Sequence, residues 1–335
     1  MAATALQDRG HRVVFGYRYP VIESYAREAG LVVVRLPLLN DADIYSVFKI
    51  IQKMNRENLQ IVIPTKVKEY WLAALAAKLS GNKCYLRLGI NRPVKAKWKN
   101  RFLYGRWAEG IIVNSHSIAA TLRQSGFIPS QKIHVIPNGV FAPTELGPFD
   151  STPTPFVFIY IGSLIRRKNL DRLLRLFARL VEIRPQDDML LKIVGDGNEK
   201  EHLIRLAQTL GVKDRIIFEG HCKDVMRLLA EAHAFILISQ NEGFPNAVLE
   251  AMAAGVPVII SDVAGAGEVI SPEEDGLLVD PCDDEAILTA MVQMRESIEL
   301  RKKLRENAFR KVKQEYSLEL MAEKLENLLL GLHHG

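Results

Sequence analysis

Short apolar runs alternate with amphipathic stretches along the whole chain. In the first half, Arg12–Phe15, Val32–Leu36, Gln60–Pro64, Lys83–Leu88, Gly110–Asn114 and Lys132–Ile136 have the length and content of buried strands. Between them, Val21–Ala29, Ile44–Arg56, Glu69–Leu79 and Ser117–Ser125 have helical spacing. The second half repeats the pattern, with strands expected at Phe156–Ile161, Met189–Val194, Arg215–Phe218, Ala234–Ile238, Val256–Ile260 and Leu277–Val279. Helices are expected there at Leu170–Arg184, Lys200–Leu210, Val225–Ala230, Ala247–Ala254, Glu285–Met294, Leu300–Lys313 and Leu318–Leu330. Strand and helix in alternation predict an α/β fold with parallel sheets covered on both faces.

Pro143, Gly147, Pro148, Pro153 and Pro155 crowd together without apolar periodicity, which predicts a boundary. The expected division is a first domain over 1–142, a linker over 143–155, a second domain over 156–316 and a C-terminal helical segment over 317–335. Both domains are read as doubly wound and facing a central cleft. At 335 residues the chain suits two domains of roughly 100–200 residues each.

The opening is unusual for such a fold. Met1–Arg9 followed by Gly10 reads as a helix tail with a C-cap glycine, where an opening strand is the norm. In the common doubly wound order the first strand is central and its turn carries a glycine-rich phosphate loop. A sheet without that strand exposes two edges. The expectation is therefore of a chain truncated at its start.

Composition places the protein among ordinary globular chains, with 48% hydrophobic and 25% charged residues. No apolar stretch reaches the roughly 18–20 residues of a membrane span, and the start lacks a basic segment followed by an apolar one. Cys84, Cys222 and Cys282 are too dispersed for a disulfide framework or a metal cluster, which predicts a cytoplasmic setting. Charge divides the halves: residues 1–140 carry 21 Lys and Arg against 8 Asp and Glu, a net of +13, and the remainder carries −8. The first half is thus expected to meet something anionic.

The stretch from Ser239 to Gly255 holds the most chemistry. An apolar strand ends, a loop with Glu242, Gly243, Phe244 and Pro245 follows, and a helix starts near Asn246. A helix N-terminus offers free N–H groups and a positive dipole end to an anion. Glu242 stands at a strand's carboxyl end, where open α/β sheets bind ligands, and Glu250 lies about one turn into the helix. Two carboxylates so placed can each hold vicinal hydroxyls, such as those of a sugar and a ribose.

These residues, with Glu250-Ala-Met-Ala-Ala-Gly-Val-Pro-Val-Ile after them, resemble the donor-site signature of family 4 retaining glycosyltransferases, which have the GT-B fold. Val135–Val140 resembles that family's domain junction and Ile161–Asn169 its diphosphate loop; Ile193–Gly197 and Phe218–His221 also match in order and spacing. The resemblance implies transfer of a sugar from a nucleotide-diphosphate-sugar to a hydroxyl of an envelope-glycan or lipid-linked acceptor, with retention and without a cofactor or metal. It implies that the last helix returns to the first domain. It gives Glu242 and Lys168 catalytic roles, at the donor sugar and at the diphosphate. Gly162, Ser163, Arg167, Gly195, Gly220, Gly243, Phe244, Pro245, Asn246 and Glu250 fall in its donor-binding segments, with Glu250 on the ribose. Charge develops on the leaving diphosphate, so a fixed cation such as Lys168 stabilises the transition state.

Two positions depart from the family. Ser163 stands where an arginine usually follows the loop glycine, which leaves Arg166 or Arg167 to reach the phosphates. Gly89 aligns where the first domain usually carries a histidine, so no catalytic histidine is named; His116 reads as a helix-start residue. Asp41-Ala42-Asp43 fits a metal-binding Asp-x-Asp string, yet it precedes a helix, where acids are expected anyway. Between Glu69 and Glu109 no acidic residue occurs, while the segment 92–107 interleaves Arg92, Lys95, Lys97, Lys99, Arg101 and Arg106 with Trp98, Phe102, Tyr104 and Trp107. This suits an anionic membrane surface on the inner face of the cell membrane; nucleic acid is the less favoured partner. A nucleotide-sugar epimerase on the same fold and a non-catalytic nucleotide-sugar-binding module remain the alternatives.

Overall fold

The computed structural model describes residues 2–152, 154–263 and 265–332. Met1 of the expected opening helix, Pro153 of the expected linker and residues 333–335 of the C-terminal segment lie outside them. The chain forms two compact units, Met1–Gly139 with Leu318–Gly335, and Val140–Ser317.

The first unit opens with α1 (Ala2–Asp8), β1 (Val14–Tyr17), α2 (Pro20–Glu28) and β2 (Val32–Arg35). It continues through α3 (Ile44–Glu57), β3 (Ile61–Val62), α4 (Val67–Ser80) and β4 (Lys83–Leu88). A short turn, α5 (Trp98–Asn100), runs into a π-helical stretch over Arg101–Trp107, and β5 (Gly110–Val113), α6 (His116–Arg123) and β6 (Ile133–Val135) follow. Gly10 closes α1 as expected: it sits at φ +91°, its N–H donates to the Gln7 carbonyl at 2.9 Å, and the His11 N–H donates to Leu6 at 3.1 Å.

All described strand pairs in this unit are parallel, but they fall into two groups, β1-β2 and β3-β4-β5-β6. One face of β4 and β5 carries Leu86, Leu88, Ile111 and Val113 into a core with Tyr70, Ile118 and Leu122. The other face, with Tyr85 and Ile112, is covered by Leu6 of α1 and by Met321, Leu325 and Leu328 of the last helix.

The second unit contains β7 (Phe156–Ile161), α7 (Leu170–Ile183), β8 (Met189–Val194), α8 (Lys200–Thr209), β9 (Ile216–Gly220) and α9 (Val225–Ala230). Then come β10 (Ala234–Leu237), α10 (Asn246–Ala253), β11 (Val258–Ser261), β12 (Leu277–Val279), α11 (Asp284–Glu296) and α12 (Ile298–Glu315); α13 (Leu318–Leu330) belongs to the first unit. Its strands form one parallel sheet in the order β12-β11-β10-β7-β8-β9. Buried apolar strands need two covering layers, and α7 supplies a stripe of Leu170, Leu173, Leu174, Phe177 and Leu180. Each such buried side chain contributes about 1.5–3 kcal/mol.

The expected linker over 143–155 is not a free tether. Arg301 Nη2 donates to the Ser151 carbonyl at 2.8 Å, Lys313 Nζ to Thr144 at 2.8 Å, and Arg305 bonds the Gly147 carbonyl. Arg301 and Arg305 also lie over the Phe149 ring. These α12 cations fasten the proline-rich stretch to the second unit, so the division falls at Gly139/Val140 instead.

Candidate functional site

Strand order in the second unit reverses between β7 and β10, since β8 and β9 lie on one side and β11 and β12 on the other. Diverging connections leave a crevice at such a switch point, outside the carboxyl ends of the strands. The loops leaving β7 and β10 bring Lys168 and Glu242 together there. Lys168 lies in a short helical turn, Arg166–Lys168, ended by Asn169 at φ 59°. Its Nζ donates to Glu242 Oε1 at 2.5 Å.

Backbone contacts lock these loops. The Gln240 N–H donates to the Arg167 carbonyl at 2.9 Å, and Arg167 Nη1 donates to the Asn241 carbonyl at 3.0 Å. Arg167 Nη1 also lies 3.9 Å from Glu242 Oε2. The Tyr160 hydroxyl donates to the Ser163 carbonyl at 3.0 Å, and burial pushes its pKa far above the ordinary range, so it stays a donor. Glu242 is only 6% exposed, and Phe244 packs at 6.1 Å from the Tyr316 ring.

The helix expected near Asn246 begins there, with Pro245 at its N-cap. Glu250 lies one turn in and is half-buried; burial pushes its carboxyl above the usual carboxylate range. It has no ion pair among the described residues. A carboxylate desolvated without a cation suits hydroxyl donors from a ligand.

Gly195 and Gly220, read from sequence as donor-binding, stitch neighbouring loops together. The Gly195 N–H donates to the Gly220 carbonyl at 2.8 Å, the Gly162 N–H to Val194 at 3.0 Å and the Leu164 N–H to Asp196 at 2.9 Å. A Cβ on Gly195, at φ +136°, would lie 1.9 Å from the Gly162 carbonyl oxygen. Sequence reading missed Gly265: at φ +90°, its Cβ would meet the Gly243 carbonyl oxygen at 2.4 Å. It therefore sets the path of the Glu242–Pro245 loop. The only signal was a glycine soon after β11.

In the first unit, Gly89 follows β4 and faces Asn114, whose Nδ2 would be 3.4 Å from a Cβ at that position. Asn114 is buried, and its Oδ1 has no hydrogen-bond partner among the described residues. Arg87 donates to Asn138 Oδ1 at 2.8 Å; burial lowers its pKa. His116 opens α6, behind Ser115, which caps the helix by accepting the Ile118 N–H at 3.3 Å.

Asp41 and Asp43 are otherwise engaged. Asp43 accepts the Leu39 and Ser46 N–H groups at 3.0 and 2.9 Å, which holds its carboxyl below the usual range, and Asp41 pairs with Lys99 at 3.0 Å. Asp171, Glu199 and His202 bring ligand atoms within 4.8 Å of one another. They stand at the N-terminal turns of α7 and α8, whose dipoles disfavour a cation. The aromatic residues of the 92–107 segment divide between two faces: Tyr104 is buried and Trp107 packs on the core, whereas Trp98 and Phe102 are exposed.

Residues 1–141 match the model of Glycosyltransferase Family 4 and residues 145–311 that of Glycosyl transferases group 1. The chain is 28% identical over 236 residues to the lipopolysaccharide core biosynthesis glycosyltransferase LpsE of Rhizobium meliloti, covering 69% of this chain and 67% of that protein. It is 26% identical over 310 residues to the Escherichia coli UDP-Gal:alpha-D-GlcNAc-diphosphoundecaprenol alpha-1,3-galactosyltransferase, covering 87% of this chain and 80% of that one. Other curated relatives, at 30% identity, are matched over about half of their own length. Among solved structures, Anabaena HepE in complex with UDP superposes with a TM-score of 0.84 at 18% identity, over 98% of this chain and 96% of that one, which identifies the two-domain GT-B fold.

Proposed function

Because this chain belongs to family 4 of the glycosyltransferases, we propose that it transfers a sugar, with retention and without a metal ion, from a UDP-sugar to a lipid-linked or lipopolysaccharide acceptor. The observation that carries the reading is the meeting of Lys168 and Glu242 at the β7/β10 crevice, with the uncompensated Glu250 on the adjoining helix. Lys168 takes the diphosphate, where negative charge grows as the glycosidic bond breaks. Glu242 takes hydroxyls of the donor sugar, and Glu250 those of the ribose. Gly162, Ser163, Arg167 and the Gly243–Asn246 turn complete the proposed donor site. The E. coli relative named above uses a UDP-sugar and a diphosphoundecaprenol acceptor, which supports both substrate classes. The working location is the cytoplasmic face of a membrane.

A thermal-shift screen with UDP-, GDP- and ADP-sugars tests the donor. A ligand that binds only the folded form at about 100 times its Kd stabilises it by about 2.7 kcal/mol. UDP-sugars should raise the melting temperature of the second unit. Radiolabelled sugar from the selected donor should then enter a diphospholipid acceptor. Conversion of the donor to an epimer with no acceptor present would instead favour the isomerase reading.

A further inference from the structure

The chain of β7 alternates between its two neighbours, β8 on one side and β10 on the other. Phe156, Gly162 and Leu164 donate their N–H groups on the β8 side, to the Asp188, Val194 and Asp196 carbonyls at 2.8, 3.0 and 2.9 Å. Val157 faces β10, where its carbonyl accepts the His233 N–H at 2.9 Å. Ser163, between Gly162 and Leu164, therefore presents its N–H on the β10 side, where Lys168 and Glu242 meet. The other end of the same peptide agrees. The Gly162 carbonyl oxygen lies so near Gly195 that a Cβ there would be 1.9 Å away, and a trans peptide points its N–H opposite to its carbonyl.

The Ser163 N–H and hydroxyl have no partner among the described residues, and the residue is exposed. Its carbonyl is doubly occupied: it accepts the Tyr160 hydroxyl and the Ile165 N–H, each at 3.0 Å. Tyr160 is fully buried. Its hydroxyl reaches that carbonyl through the space Gly162 leaves, since a Cβ on Gly162 would stand 2.7 Å from the hydroxyl oxygen. A diphosphate is held by donors and repelled by a carbonyl oxygen turned toward it. Binding the carbonyl while leaving the N–H and the hydroxyl open is what an anion requires of a loop.

We propose that Ser163 donates its N–H and its hydroxyl to the diphosphate of the nucleotide-sugar, and that Tyr160 is the positioning residue that holds the Ser163 carbonyl away from it. The inference rests on the transferase reading and deepens it. Lys168 supplies the charge, and Ser163 supplies two neutral hydrogen bonds where an arginine would supply a second charge. Tyr160 does not touch the ligand; it acts through one main-chain oxygen.

The test is titration of UDP and of uridine into the whole chain, labelled selectively at serine nitrogens for amide NMR, with affinities from calorimetry. The Ser163 amide signal, assigned by its loss in Ser163→Ala, should move downfield with UDP and stay in place with uridine. Ser163→Ala keeps the N–H and loses the hydroxyl, and should bind UDP about tenfold more weakly. Tyr160→Phe should weaken UDP binding about fivefold, leave uridine binding unchanged and shrink the UDP-induced shift of the Ser163 amide. A hydroxyl that served stability alone would lower the melting temperature yet leave that shift and the UDP-to-uridine ratio as in the wild type, which would overturn the role of Tyr160. A Ser163 amide that UDP does not move, while Lys168→Met still loses UDP affinity, would overturn the proposal and leave the donor reading standing. A wild type that binds no UDP would overturn both.

Discussion

Lys168 and Glu242, 74 residues apart, are joined by a 2.5 Å hydrogen bond at the point where the second unit's sheet reverses its strand order. Their side chains are 12% and 8% exposed, so the pair is nearly dry. Removing one partner of a buried ion pair costs about 3–5 kcal/mol, because the other charge is left desolvated. Lys168→Met or Glu242→Gln alone should therefore destabilise the second unit by more than the double variant does. Urea titrations of the three variants measure this, and strictly additive losses would contradict the coupling.

Gly195 and Gly211 both have positive φ, yet their surroundings differ. Alanine at Gly211 would meet nothing within 4 Å, so only the left-handed backbone cost of about 1–2 kcal/mol applies. Alanine at Gly195 would strike the Gly162 carbonyl oxygen at 1.9 Å and force the diphosphate loop to move. Thermal melts should show the larger loss for Gly195→Ala. UDP affinity should fall for that variant and hold for Gly211→Ala.

Glu250 supplies a pH prediction. Its folded-state pKa is raised by burial, so the folded form holds the proton more tightly than the unfolded chain. Stability then falls as pH rises from the unfolded value through the folded one, and the full penalty is present above both. Glu250→Gln should raise the melting temperature at neutral pH, and this gain should vanish as pH drops below the ordinary carboxylate range. The same variant should bind UDP more weakly at neutral pH. A gain independent of pH would contradict burial of the charge as its cause.

Fully buried strands were the most legible feature of the sequence. Phe156–Ile161 is a continuous apolar run and Met189–Val194 is broken only by Lys192, and both occur at the expected bounds. The Glu242 loop was legible because a strand, a glycine-proline turn and a helix follow one another locally. Gly265 was not, since its role is a backbone approach to Gly243, which is distant in sequence and leaves no mark in composition. The proline-rich 143–155 stretch misled for a related reason. Arg301 and Arg305, about 150 residues later, fix it to α12. Phe102, Tyr104 and Trp107 lie on a π-helical stretch, and a 3.6-residue period does not predict which of them face the core.

Calorimetric titration of UDP and of uridine into the wild type and Lys168→Met tests the central claim most directly. If Lys168 holds the donor's diphosphate at the β7/β10 crevice, the wild type binds UDP. Lys168→Met then loses at least about tenfold in UDP affinity, about 1.4 kcal/mol, while binding of uridine, which lacks the phosphates, is unchanged. A wild type that does not bind UDP, or a variant that binds it as tightly as the wild type does, would contradict the account.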